Sequence, residues 1–262
     1  MDIIKSKDNS KIKYVRSLGS KKVRDEENAF IVEGIKFVNE AIMENAHIMY
    51  LIFSESAFEK TEIKEFYNFA VSSGTEAIIC ADRIFSGTAD TINSQGVLAV
   101  IRKNPDVKNA HDYKFAVLCD RIQDPGNLGT IIRTTDAFGP GLVILNRGCV
   151  DVYNPKVVRA SAGAIFRVPF VHAESDEKII GGLKDSGYKI ISTVVDSQYS
   201  FDDIEKSEKI CIVIGNEGQG VSREIVKNSH AGITIKMSGR AESLNASIAA
   251  GISIYEIRKK LL

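Results

Sequence analysis

Three polar, glycine-marked loops constrain this chain more than any other feature. They lie at residues 120–139 (DRIQDPGNLGTIIRTTDAFG), 212–222 (IVIGNEGQGVS) and 235–251 (IKMSGRAESLNASIAAG). Each follows or closes an apolar run of strand length and leads towards a helical stretch. Strand, loop and helix in that order form the repeating unit of an α/β domain, where ligands gather at the carboxyl ends of strands. The pattern predicts one site assembled from three loops.

The rest of the chain fits that frame. Residues 29–34 read as a strand that runs into a helix with Ile35, Val38, Ala41 and Ile42 on one face. Strand runs at 49–54, 77–80 and 96–102 follow, with a helix around 63–71. The polar stretch 103–112 contains Pro105 and has no period. It marks a boundary between a domain at 1–104 and a second at 111–262. The second opens on FAVLC at 115–119, an apolar run suited to a buried parallel strand. Further strands are read at 141–146, 189–195, 210–215 and 232–237, with helices between them and a last helix at 246–260. A parallel sheet with helices on both faces is expected. Asp120, Gly215 and Met237 then stand at or just past strand ends.

Composition excludes several classes. The 262 residues suffice for two domains with cores. Thirty-four basic residues balance 34 acidic ones, so net charge does not point to nucleic acid. Their distribution says more. Residues 1–24 hold eight basic residues, Lys21, Lys22 and Arg24 among them, against Asp2 and Asp8. Such an arm suits a phosphate backbone or a solvated first helix. The four cysteines include no CxxC pair and the four histidines no ligand motif, so no metal is expected. There is no apolar signal core or membrane-length run, and a cytoplasmic protein is expected.

Read chemically, the first loop offers Pro125 and Gly126 for a turn and Asn127 as a helix cap or a functional amide. Arg133 stands among Ile131, Ile132 and small residues, which favours a partly buried guanidinium over a solvated one. The second loop has Gly215, Gly220 and Ser222 at phosphate-loop spacing, but Val221 replaces the lysine. Its glycines run GxxGxG, the reverse of a dinucleotide fingerprint. What remains is a backbone-rich loop with one carboxylate, Glu217. In the third loop either Ser243 or Asn245 can cap the last helix. That helix is apolar on most sides, as expected if it meets both its own sheet and a partner.

Together, DPGNLGTIIRTTDAFG, IGNEGQGVS and SLNASIAAGISIYE resemble the three motifs of the SpoU/TrmH family of RNA ribose 2′-O-methyltransferases, in the SPOUT superfamily. VVRASAGAIFRVP at 157–169 resembles the same family. In the first domain, FIVEGIKFVNEAI and SQGVLAVIRK resemble its ribosomal-protein-like RNA-binding partner. The resemblance implies a parallel-sheet domain with a deep trefoil knot, a rarity that periodicity does not reveal. It implies bound S-adenosyl-methionine, a homodimer, and RNA as substrate. Large-subunit rRNA leads, with tRNA or a non-catalytic ribosome-assembly role as alternatives. By motif, Asn127, Arg133, Glu217, Ser243 and Asn245 take the catalytic positions. Gly215, Asn216, Ile235, Met237 and Leu244 hold the cofactor. Arg159 and, from the basic arm, Lys21, Lys22 and Arg24 are the candidates for gripping RNA. The motif leaves Arg133 as either a general base or an electrostatic clamp, although a guanidinium resists deprotonation.

Overall fold

The structure is a computed structural model and describes residues 3–89, 95–107 and 110–262. Asp2 of the basic arm, Ser94 of the matched wording, and Lys108 and Asn109 of the boundary segment lie outside the described residues. The chain divides into two units. One comprises Met1–Asn104 with Tyr153–Arg159, the other Pro105–Val152 with Ala160–Leu262. No helix among the described residues is long and apolar enough to cross a membrane.

The first unit contains β1 (Ile3–Ile4), α1 (Ser10–Ser17), α2 (Lys21–Glu26), β2 (Ala29–Glu33), α3 (Ile35–Met43), β3 (Ile48–Ser54), α4 (Thr61–Ser73), β4 (Glu76–Cys80), α5 (Asp82–Ser86) and β5 (Val97–Arg102). Its sheet has the order β1-β4-β3-β5-β2. The pairings β1–β4 and β4–β3 are parallel, while β5 runs antiparallel to β3 and β2. Ile12, Val15 and Leu18 of α1 are buried with Ile52, Ile78, Leu98 and Val100 of the sheet. Gly96 enters β5 at φ +76°, where a Cβ would lie 2.1 Å from the Ala57 methyl, so only glycine fits. The segment Tyr153–Arg159 adds Tyr153, whose ring lies 4.7 Å from that of Phe30.

The second unit contains β6 (Phe115–Asp120), α6 (Pro125–Ala137), β7 (Leu142–Leu145), β8 (Phe170–His172), α8 (Asp176–Asp185), β9 (Lys189–Thr193), β10 (Ile210–Gly215), α9 (Arg223–Asn228), β11 (Ala231–Ile233) and α10 (Ala246–Arg258). Between β7 and β8 runs α7 (Pro155–Ala160), all but its last residue grouped with the first unit. The six strands are parallel throughout, in the order β11-β9-β10-β6-β7-β8. Alternation sends Cys211 and Val213 of β10, with Ala116 and Leu118 of β6, to one face. There they pack on Ile180, Leu183 and Ile225 of α8 and α9. On the other side α10 packs against α6 and β10. The parallel sheet is as expected.

One strand is shorter than the apolar pattern suggests. The run 232–237 leaves the sheet after Ile233, because Thr234 donates its N–H to the Tyr199 carbonyl and its hydroxyl to the Val194 carbonyl. Topology then positions the site. From β6 the chain adds β7 and β8 on one side, then crosses to build β9, β10 and β11 on the other. The switch point lies between β6 and β10, where Asp120 and Gly215 are paired at the carboxyl ends.

Candidate functional site

Two loops leave these paired strand ends side by side. The first turns through Asp124, which caps α6 by accepting the Asn127 N–H at 2.8 Å, and Pro125 takes the first helical turn. The cap therefore stands three residues before Asn127, and its carboxylate releases the Asn127 side chain from capping. That side chain is buried and bonded at both ends. Its Nδ2 donates to Glu217 Oε1 at 2.9 Å, and its Oδ1 accepts from Asn245 Nδ2 at 2.9 Å. One amide thus joins residues from all three loops.

The second loop is a tight five-residue reversal closed by Asn216 N–H to Gly220 O (3.1 Å) and Gly220 N–H to Asn216 O (2.9 Å). A Cβ on Gly215 would lie 2.2 Å from the Gly220 carbonyl carbon, so glycine is obligatory at this approach. The N–H groups of Gly218 and Gln219 donate to Asn216 Oδ1, each at 3.0 Å. They are spent inside the loop and form no phosphate cradle, in keeping with the missing lysine. Glu217 reaches across to the first loop and accepts also from Asp124 N–H (3.3 Å) and Gln123 N–H (3.4 Å). Partial burial pushes its carboxyl up, but the Asn127 amide and these backbone donors outweigh that and hold it below its ordinary 4.5.

The third loop ends at Asn245, the N-cap of α10, whose Oδ1 accepts from Ser247 and Ile248 N–H. Asn245 rather than Ser243 is the cap. Its other amide end goes to Asn127, so one side chain fixes the helix start to the first loop. The second and third loops, with the end of β9, wall a cavity of about 460 Å³. Val194, Ile214, Ile235 and Leu244 make it apolar on one part, while Thr193, Asn216, Glu217 and Ser243 supply polar groups. Size and lining are those of a small-molecule site, which run roughly 300–1,000 Å³. Gly215, Asn216, Ile235, Met237 and Leu244 all line it.

Other expected residues stand elsewhere. Arg133 is exposed on α6 rather than partly buried, and it makes no hydrogen bond or ion pair among the described residues. Six residues from Asn127 carry it about 120° round the helix, away from the Asn127–Glu217–Asn245 cluster. Arg159 is half-buried in the first unit. Lys21 and Lys22 are exposed, and Lys22 pairs with Glu26 at 3.8 Å. Arg24 is not presented to solvent. It is 3% exposed and donates to the Leu18 and Gly19 carbonyls at 2.7 and 2.8 Å, bracing the end of α1. Asp120, placed by the sequence at a strand end, and Ser222 join Arg121, Asn146 and Asp176, which sequence reasoning missed, in a polar network behind the two loops. Its one visible signal was an acidic residue ending an apolar strand.

Comparison with known proteins agrees with this geometry. Residues 114–255 match the SpoU rRNA Methylase family, and residues 9–99 match the MRM3-like substrate binding domain. Over 258 residues the chain is 31% identical to the 23S rRNA (guanosine(2553)-2′-O)-methyltransferase RlmP of Bacillus subtilis (strain 168), covering 98% of this chain and 100% of that protein. The crystal structure of an AdoMet-bound rRNA methyltransferase from Sinorhizobium meliloti superposes with a TM-score of 0.88 at 30% identity, over 100% of this chain and 98% of that one. The SpoU methyltransferase AviRb from Streptomyces viridochromogenes, in complex with the cofactor AdoMet, gives 0.87 at 26% identity over 96% and 97%. A site knit from the three motif loops, with matches spanning both parts of the sequence, leaves one assignment: the chain belongs to the SpoU rRNA methylase family of enzymes.

Proposed function

We propose that the second unit transfers a methyl group from S-adenosyl-methionine to a ribose 2′-hydroxyl of RNA, and that the RNA is large-subunit rRNA. The observation that carries this is the Asn127 amide, fixed between Glu217 and Asn245 beside the cavity. The rRNA methyltransferase relatives support the choice of RNA, as does the substrate-binding match of the first unit. A cytoplasmic setting goes with that substrate.

The cavity residues fit the cofactor. The apolar walls suit an adenine ring, and Asn216, Ser243 and the loop backbone suit its polar groups. Bound S-adenosyl-methionine supplies an electrophilic methyl. Glu217 stays ionised and holds Asn127, and Asn127 presents a fixed polar edge that orients the ribose. Arg133 faces away from the Asn127 cluster of its own chain, and as a pure donor it acts across the dimer boundary, as a clamp on the developing alkoxide and the adjacent phosphate in a second copy's site rather than as a base. The proton of the hydroxyl passes to solvent. A deep trefoil knot in the C-terminal segment belongs to this assignment, since it brings loops far apart in sequence to one cavity.

Homodimer formation completes the proposal. On α10, Ile248, Ile252 and Tyr255 are exposed at 54, 37 and 49%, and Phe138 at the end of α6 stacks beside Tyr255 at 5.5 Å. A second copy seated on this apolar ridge covers it, and Arg133, exposed on the neighbouring helix, works at that boundary.

The test is a map of ribose methylation across rRNA and tRNA in cells with and without the protein. Loss of one 2′-O-methyl mark from large-subunit rRNA is expected, and loss from tRNA alone overturns the rRNA assignment. In vitro, Arg133→Ala is expected to abolish methyl transfer with S-adenosyl-methionine affinity largely retained. Equal loss of both in titration and turnover assays contradicts that division of labour.

A further inference from the structure

Arg121 stands directly after β6 with φ +58°, a left-handed backbone that residues with a side chain rarely adopt. Its carbonyl accepts from Asn216 Nδ2 at 2.8 Å, which ties this bend to the root of the second loop. The side chain folds back on its neighbour. Nε and Nη2 each donate to the Asp120 carboxylate at 3.2 Å. Asp120 is fully buried and also accepts from Asn146 Nδ2 (3.0 Å) and Ser222 N–H (2.7 Å). Neutralising Asp120 would need no more than that. Yet the fork continues: Nη1 donates to Gln219 Oε1 at 3.3 Å and Nη2 to the Gly220 carbonyl at 3.4 Å.

The loop that lines the cavity is thus held from both limbs. Glu217 secures one limb to Gln123, Asp124 and Asn127. Arg121 secures the other at Gln219 and Gly220. Only a planar donor fork can serve the carboxylate and both loop acceptors together. A lysine ammonium reaches the carboxylate as a point charge without spanning to the rest.

We propose that Arg121 is a positioning residue for the cofactor loop: anchored on buried Asp120, its guanidinium holds Gln219 and Gly220 so that the loop keeps the shape that binds S-adenosyl-methionine. This rests on the cofactor assignment made above.

The experiment is calorimetric titration of the full chain with S-adenosyl-methionine, alongside steady-state methyl transfer and thermal melting. The variants are Arg121→Lys, Gln219→Ala and the double variant. Arg121→Lys keeps the left-handed backbone and a cation beside Asp120, so it should melt close to wild type. Its affinity for S-adenosyl-methionine should fall about tenfold, the loss of one hydrogen bond from a charged donor. Turnover at saturating cofactor should stay within about threefold and the KM for RNA should not move. Gln219→Ala alone should weaken the cofactor in the same direction and, if Arg121 acts through it, add little to Arg121→Lys. Because Gln219 is exposed, that variant reports even if Arg121→Lys does not fold. Unchanged cofactor affinity in Arg121→Lys, full additivity in the double variant, or a rise confined to the KM for RNA overturns the proposal. A wild-type chain that binds no S-adenosyl-methionine overturns the cofactor assignment itself.

Discussion

Asn127, Glu217 and Asn245 come from three loops, and the Asn127 side chain is held by side-chain hydrogen bonds to the other two. Glu217 gives this cluster a measurable pH signature. Its folded pKa lies below the ordinary value because the Asn127 amide and backbone donors outweigh partial burial. A depressed carboxyl contributes stability that is present above its ordinary value and is lost as pH falls through the folded value. Glu217→Gln should therefore be less stable than wild type at pH 7, by about 1 kcal/mol once solvent screening is allowed for. The gap should narrow as pH falls through the folded value, read by urea melts across pH. A gap that is constant with pH contradicts the carboxylate's role. At this scale the motifs gave residue identities but not directions. Asn127 looked like a cap until Asp124 was seen to hold that place, and Arg133 looked half-buried until its turn of α6 proved to face solvent.

Apolar runs located most of the strands because burial on both faces of a parallel sheet leaves a continuous hydrophobic stretch. The three-residue β8 is too short to show a period, and β11 stops early although the alternation continues through Met237. Ile235 and Met237 are apolar for the cavity, not for the sheet. Periodicity reports that a side chain avoids water, never which surface receives it. The same limit holds for α10, whose apolar residues exceed what its own sheet and α6 cover. Ile252→Asp should convert a dimer to a monomer in sedimentation and lower methyl transfer with it, since a charge on that ridge opposes burial. A wild-type chain that sediments as a monomer, or a fully active monomeric variant, contradicts the proposed interface.

For the whole molecule, the two units carry different parts of the proposed task. The first presents Lys21 and Lys22 on α2, braced by Arg24 beneath. Replacing Lys21 and Lys22 by alanine should weaken RNA binding and flatten its dependence on salt, by about 0.7 per lost phosphate contact for single-stranded RNA. Thermal stability should stay near wild type, and an unchanged slope returns both lysines to plain solvated surface. Arg24→Ala should act in the opposite way, unfolding more readily because two carbonyls at the end of α1 lose a buried donor. Charge counting along residues 1–24 could not separate these roles, because a guanidinium that braces a helix end and one that meets solvent are the same letter. The sequence by itself determined the parallel sheet of the second unit, the three loops and the family, since strand burial and loop chemistry are local patterns carried by consecutive residues. Only the tertiary structure decided that Asp120 and Gly215 stand paired at a switch point, that Asn127 binds two other loops, that Arg121 bonds to Gln219 and Gly220 of the second loop and that Arg133 faces outward. The first three of those facts depend on contacts between residues about 90 to 120 positions apart, and such contacts exist only once the chain has closed on itself.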